Sequence, residues 1–296
     1  PWATLDDRAL FYRTVARALA KSDLVLAVSE HTKRDLIEVF RVPPERVHVT
    51  YEPCLFEIAA PPANMADVLA TYGLRPKEYV LFVGAIEPKK NVRRLLLAWR
   101  AAQDEGIPLV IAGGRGWLWR EELKPGAALT AAKRVMLIDY APREHLPALY
   151  SGALFLAFPS LYEGFGLPPL EAMAHGCPVL TSNVSSLPEI CADAALYCDP
   201  YKLDDITDKL RTMLRDGGLR DRLAAKGRER AAFFSMEADT GNITPSGVKP
   251  RRARMLWIRK RWIRPLPSSN GCRNTNPYAT AAACATGGTP PSSMRR

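Results

Sequence analysis

Short apolar runs at residues 79–83, 109–112, 134–138, 153–158 and 178–181 alternate with segments of helical periodicity, and this alternation constrains the fold more than any other feature. Strands covered on both faces read as continuous apolar runs, unlike the alternating pattern of a half-exposed sheet. Strand, helix, strand in succession implies parallel pairing, with each helix crossing back over the sheet in the right-handed sense. The helices are expected at 92–103, 143–151, 168–175, 186–192, 202–215 and 219–233. Residues 78–235 therefore read as a doubly wound α/β domain, whose ligand crevice lies at the carboxyl ends of its strands.

A second unit precedes it. Residues 5–21 are helix-like, 23–28 strand-like, and Ser29 is placed to cap a helix over 30–40. Pro43 and Pro44 end that helix, and 46–51 reads as a further strand. Residues 1–60 thus look like the last units of another α/β domain, with a Pro- and Ala-rich linker and a lead-in helix at 61–77.

Chemistry concentrates where strands hand over to helices. In Glu163-Gly164-Phe165-Gly166-Leu167-Pro168-Pro169-Leu170-Glu171, two carboxylates stand eight positions apart around a glycine turn that opens a helix. Proline is tolerated in a first helical turn, and the unpaired N–H groups there form an anion site with the positive end of the helix dipole. The competing reading is an ordinary strand-to-helix turn with Glu171 set favourably near a helix start. Upstream, the run from Tyr79 to Asn91 (YVLFVGAIEPKKN) ends a strand at Gly84 and follows it with Lys89 and Lys90. These are candidates for a diphosphate contact, against a solvated basic pair. Gly113-Gly114-Arg115-Gly116 is a further glycine loop at a strand end. Ser186-Leu187-Pro188-Glu189 has the capping-box spacing, which makes Glu189 structural. His175, near a helix end, and His145, among apolar residues, carry no triad pattern.

Taken together and in this order, these segments resemble the retaining nucleotide-sugar glycosyltransferases of family four, also described as glycosyl transferases group 1, over residues 20–235. The resemblance implies the GT-B fold: a complete C-terminal Rossmann-like domain for the donor and the remnant of an N-terminal Rossmann-like domain. It assigns Glu163 and Lys90 to catalysis, and Gly84, Lys89, Lys90, Glu163, Gly164, Phe165, Gly166, Leu167 and Glu171 to the donor, with Glu171 on the ribose hydroxyls. Tyr140 and Ala141 would flank the base, with core packing as the alternative. Where members of the family often have Arg after the first glycine this chain has Ala85, which leaves Lys89 to supply a second cation. The implied reaction moves a hexose of mannose or glucose type from a UDP- or GDP-sugar to a glycan or lipid-linked acceptor. The Glu-Pro-Lys-Lys-Asn loop looks most like bacterial mannosyltransferases of surface-polysaccharide assembly. No cofactor or metal is expected, since no Asp-x-Asp occurs in the chain. The expected location is cytoplasmic, with peripheral contact at the inner face of the membrane.

Two rival classes fit less of the chain. A glycosidase needs two carboxylates facing one another across a bond and leaves the glycines and lysines unexplained. A nicotinamide dehydrogenase needs G-x-G-x-x-G, absent from Gly84-Ala85-Ile86-Glu87. A non-catalytic, donor-binding fragment of a transferase remains open.

The net charge of +10 suggests nucleic acid until it is located along the chain. Residues 237–296 hold 11 Lys and Arg against 2 Asp and Glu, so the rest carries 30 against 29 and is nearly neutral. No nucleic-acid partner is expected for that part. After residue 235 the resemblance ends and the composition turns basic and low in complexity, which reads as a disordered or frameshifted tail. Its functional alternative is the Trp-interleaved basic run at 254–264, on a membrane surface or nucleic acid. The six cysteines show neither metal spacing nor C-x-x-C pairs and read as reduced thiols.

Overall fold

The fold is that of a computed structural model, which describes residues 5–54, 56, 60–102, 106–235, 255–258 and 263–265. Most of the tail, including much of the basic Trp-containing run, lies outside the described residues.

The main sheet contains β3 (Val80–Val83), β4 (Leu109–Ala112), β5 (Val135–Ile138), β6 (Phe155–Phe158), β7 (Val179–Ser182) and β8 (Ala195–Cys198). They run in the order β5-β4-β3-β6-β7-β8, every pairing parallel. β3, β4, β6 and β7 are almost wholly buried, in keeping with their unbroken apolar runs. Strand order reverses between β3 and β6: later strands add on one side after β3 and on the other after β6. That reversal opens a crevice at the carboxyl ends of those two strands.

Helices cover both faces. α4 (Val92–Ala102) buries Leu95, Leu96 and Trp99 and packs on α10 (Leu203–Arg215), while α8 (Leu167–Ala174) packs on α11 (Gly217–Phe233). α7 (Leu146–Gly152) follows a 3-10 turn at Arg143–His145, so helix starts later than the pattern suggests. His145 shares a 2.7 Å hydrogen bond with the Tyr72 hydroxyl. α3 (Met65–Thr71) is the expected lead-in helix. Between β4 and β5 lie α5 (Trp119–Leu123) and α6 (Ala127–Ala131), short pieces on either side of Pro125 and Gly126 that sequence periodicity does not reveal. β8 was also not expected.

The first unit contains α1 (Leu5–Lys21), β1 (Leu24–Ala27), α2 (Glu30–Glu38) and β2 (Val47–Val49). Ser29 caps α2 as expected, accepting from the Thr32 backbone N–H. β1 pairs in parallel with β2 on one side and with β9 (Met255–Ile258) on the other, and β10 (Ile263–Pro265) pairs antiparallel to β9. Val15, Leu19, Val25, Leu36 and Val47 make a small separate core.

Four buried cysteines, Cys54, Cys177, Cys191 and Cys198, are free thiols. Among the described residues no helix is long and apolar enough to cross a membrane.

The crevice depends on close backbone contact between β3 and β4. Gly84 donates its N–H to Ala112, and Gly113 donates to Ile138. A Cβ at Gly113 would stand 1.9 Å from the Gly84 carbonyl oxygen, a backbone atom that no rotamer change moves away, whereas one at Gly114 would meet nothing within 4 Å. Gly113→Ala should therefore cost about 3 kcal/mol of stability and Gly114→Ala no more than ~0.5 kcal/mol, as read from urea unfolding midpoints. Equal costs would show that the two strand ends move apart freely.

Candidate active site

Two loops meet in the crevice, one after β3 and one after β6. After Gly84 the chain turns through a 3-10 segment, Pro88–Lys90, and Asn91 adopts the left-handed conformation at φ 59°. The Asn91 amide donates to the carbonyls of Pro159 at 3.0 Å and Pro200 at 2.9 Å, tying the β3 loop to the β6 loop. Asparagine is among the few residues that tolerate this conformation, and its side chain here supplies the tie.

Lys90 is thereby delivered into the interior. Its Nζ lies 2.5 Å from Glu163 Oε1 and 4.6 Å from the centre of the Phe158 ring. The side chains are 7% and 1% exposed, so this is a buried ion pair rather than the solvated pair that sequence alone allows. Ser160 Oγ lies 2.7 Å from the same carboxylate oxygen and 3.0 Å from the Lys89 carbonyl. Lys89 instead pairs with Glu87 at 2.9 Å and is about a quarter exposed. Gly84 lies under Lys90: a Cβ there would stand 3.5 Å from Lys90 Cε.

Glu163 to Leu167 lead directly into α8, whose first turn holds Pro168 and Pro169. Glu163 accepts Ser186 at its carbonyl, 3.0 Å, and donates its N–H to Ser185 Oγ, also 3.0 Å. The capping box expected at Ser186 and Glu189 does not form. Ser186 makes no cap bond to α9 (Leu187–Cys191), because its hydroxyl is engaged by Glu163 and Phe165 carbonyls. Glu189 instead accepts the backbone N–H groups of Glu30 at 2.8 Å and His31 at 3.2 Å, at the start of α2. It is structural, but in the seam between the two units.

Glu171 lies one turn into α8 and does not touch the Lys90 pair. Tyr150 donates its hydroxyl to Glu171 Oε2 at 2.9 Å. Burial pushes the carboxyl from its ordinary 4.5 up to about 7, opposed by that hydrogen bond and by the charge of Arg143. His175 caps α8, stacked on Tyr150 at 6.0 Å and against Phe56 at 5.2 Å, with both ring nitrogens buried and without hydrogen-bond partners. Burial lowers its pKa, so the neutral ring is favoured.

Of the pair expected to flank the base, Tyr140 is 79% exposed just past β5 and Ala141 is 8% exposed. Arg115 pairs with Asp139 at 3.1 Å on the surface and lies over Trp119. Sequence reasoning missed Ser160, Ser185, Ser186, Tyr150 and Asn91. A small hydroxyl residue just before a glycine loop was the available signal for Ser160, whereas Ser185 and Ser186 meet Glu163 across separations of 22 and 23 positions. Among the described residues no cluster of three or more His, Cys, Asp or Glu is set to hold a metal.

A pH dependence follows from Glu171. Its folded pKa lies above its unfolded one, so the folded chain holds this proton more tightly. The associated stability is present below about pH 4.5 and is lost as pH rises through about 7, a decline of roughly 3 kcal/mol. In melts from pH 4.5 to 8 the wild type should lose more Tm than Glu171→Gln. Parallel profiles would exclude Glu171 as the titrating group.

Comparison with known proteins agrees with this architecture. The family model described as Glycosyl transferases group 1 matches residues 72–230, and that described as Glycosyltransferase Family 4 matches residues 2–53. The chain is 37% identical over 233 residues to O-antigen chain mannosyltransferase B of Escherichia coli, covering 76% of this chain and 60% of that protein. Sucrose-phosphate synthase from Thermosynechococcus elongatus superposes with a TM-score of 0.65 at 26% identity, over 75% of this chain and 57% of that one. Anabaena HepE, solved in complex with UDP and glucose, gives 0.69 at 19% identity, over 78% and 65%. The chain thus spans about 60% of the length of these proteins. With a family match over more than half its length and a GT-B architecture built around the β3–β6 crevice, the chain belongs to the glycosyl transferases group 1 family.

Proposed function

We propose that this chain carries the donor site of a retaining hexosyltransferase, which moves a mannose-type sugar from a nucleoside-diphosphate sugar to a glycan or lipid-linked acceptor without a metal. The observation that carries the reading is the buried Lys90–Glu163 pair at the reversal point of the sheet, between a glycine strand end and the start of α8. The mannosyltransferase relative supports the sugar, and the UDP and glucose bound by HepE support a nucleotide sugar in this crevice.

The chemistry must stabilise a departing diphosphate and a sugar that gains positive charge. On this reading Lys90 meets the diphosphate. The backbone N–H groups of the glycine loop leading into α8, from Gly164 to Leu167, share the negative charge, since Pro168 and Pro169 in the first helical turn carry none. Glu163, held by Lys90 and Ser160, stands close to the sugar as a fixed negative charge. A carboxylate so tightly engaged is a poor covalent nucleophile, which favours transfer on the front face, with the leaving oxygen assisting the acceptor. Glu171 in its ionised form accepts hydrogen bonds from the ribose diol. Tyr140 and Ala141 flank the base. The acceptor approaches from the first unit's side of the crevice, at the membrane surface where a lipid-linked acceptor would be presented.

The test is metal-free calorimetric titration of the 296-residue chain with UDP, GDP, UDP-glucose and GDP-mannose. One nucleotide series should bind. Lys90→Ala should weaken the diphosphate at least tenfold, the loss of a charged hydrogen bond worth about 1.5–3 kcal/mol, and Glu171→Ala should weaken it by a similar factor. Binding that requires added Mg2+, or that neither substitution changes, would overturn the reading.

A further inference from the structure

Successive carbonyls of the loop that opens α8 are held by hydroxyls from opposite sides. Ser186 Oγ stands 3.0 Å from the Glu163 carbonyl and 2.5 Å from that of Phe165, within the same domain. The carbonyl between them, Gly164 O, is held from the first unit: Ser29 Oγ donates to it at 2.7 Å and Thr32 Oγ1 at 3.1 Å. Ser29 is 0% and Thr32 7% exposed, so water does not compete for this contact. Ser29 Oγ also accepts the Thr32 backbone N–H at 3.0 Å and lies 3.0 Å from Thr32 Oγ1, so its hydrogen has two acceptors, of which Gly164 O at 2.7 Å is the nearer.

A trans peptide is planar, with its carbonyl and the following N–H pointing in opposite directions. There are no cis bonds in the described chain. Fixing Gly164 O against α2 therefore fixes the Phe165 N–H to point away from α2. A peptide that follows glycine has more freedom to turn over than any other, so the orientation needs an external hold. Neighbouring contacts keep the seam in register: Tyr162 donates to Asp35 at 2.5 Å, and Glu189 caps the start of α2.

We propose that Ser29 and Thr32 are positioning residues for the donor. Without touching it, they orient the Gly164–Phe165 peptide so that the loop's N–H groups meet the diphosphate-sugar portion. The inference rests on the donor-site reading above, and it gives the first unit a part in donor geometry.

Calorimetry on the full chain tests it with UMP and GMP beside UDP-glucose and GDP-mannose, for wild type, Thr32→Val, Ser29→Ala/Thr32→Val and Thr32→Ser. The monophosphates keep base and ribose but lack the part the loop would receive. The double variant should bind the monophosphate like wild type and the sugar nucleotide about tenfold more weakly. Thr32→Val should show a smaller shift in the same direction, and Thr32→Ser should restore wild-type values. A folding defect from the lost cap would weaken both ligands alike; that result, or no weakening, overturns the positioning role while leaving the donor site standing. Failure of the wild type to bind any of the four ligands overturns the donor-site reading and this proposal with it.

Discussion

A carboxylate and an ammonium held 2.5 Å apart inside the protein are the constraint around which the crevice is arranged. Taking both charges out of water is costly, and their mutual attraction offsets this only when geometry is good and other polar atoms are satisfied. Every neighbouring feature serves that condition. Asn91 in its left-handed turn delivers Lys90, the Phe158 ring lies beneath the ammonium, Ser160 reaches the carboxylate, and Ser185 and Ser186 hold the Glu163 backbone. A buried pair of this kind adds little to net stability, but it fixes two loops from different strands in one position. Removing either partner would leave an uncompensated charge in the interior.

Much of the fold was legible because the main sheet is parallel and covered on both faces. Runs such as residues 79–83 and 153–158 must be apolar throughout, and that signal survives without knowledge of partners. β8 escaped because Ala195–Cys198 is an edge strand whose Leu196 and Tyr197 are only partly buried, which shortens and dilutes its apolar run. α5 and α6 escaped because five-residue helices are too short to show a period.

The site was legible in its chemistry and less so in its partnerships. Lys90 and Glu163 stand 73 positions apart, and no local pattern says that they meet. The capping-box spacing at Ser186 and Glu189 was the opposite case, a local rule overridden by tertiary contacts. Ser186 has carbonyls within reach from the loop after β6, and Glu189 has the open start of a helix from another unit. Ser186 thus satisfies loop carbonyls rather than the N–H groups of its own helix, while Glu189 supplies acceptors to the N–H groups at the start of α2. Side-chain hydroxyls at Ser29, Thr32 and Ser160 were invisible as site residues for the same reason: serine and threonine say little until the carbonyl they face is known.

The buried cysteines carry a consequence of a different kind. A thiol reacts as its thiolate, and burial pushes Cys177, Cys191 and Cys198 up to about 12, and Cys54 up as well. In the folded chain these sulfurs are chemically silent, and each becomes reactive only when its own surroundings open. Cys54 sits in the seam, its N–H bonded to the Phe234 carbonyl, where Tyr51, Phe165 and Phe234 meet edge to face or tilted. Cys177 lies just before β7, Cys198 is the last residue of β8, and Cys191 ends α9. The molecule thus contains its own set of clocks: the order in which these four sulfurs take up a thiol reagent would record whether the two halves part at the seam before the sheet itself comes undone.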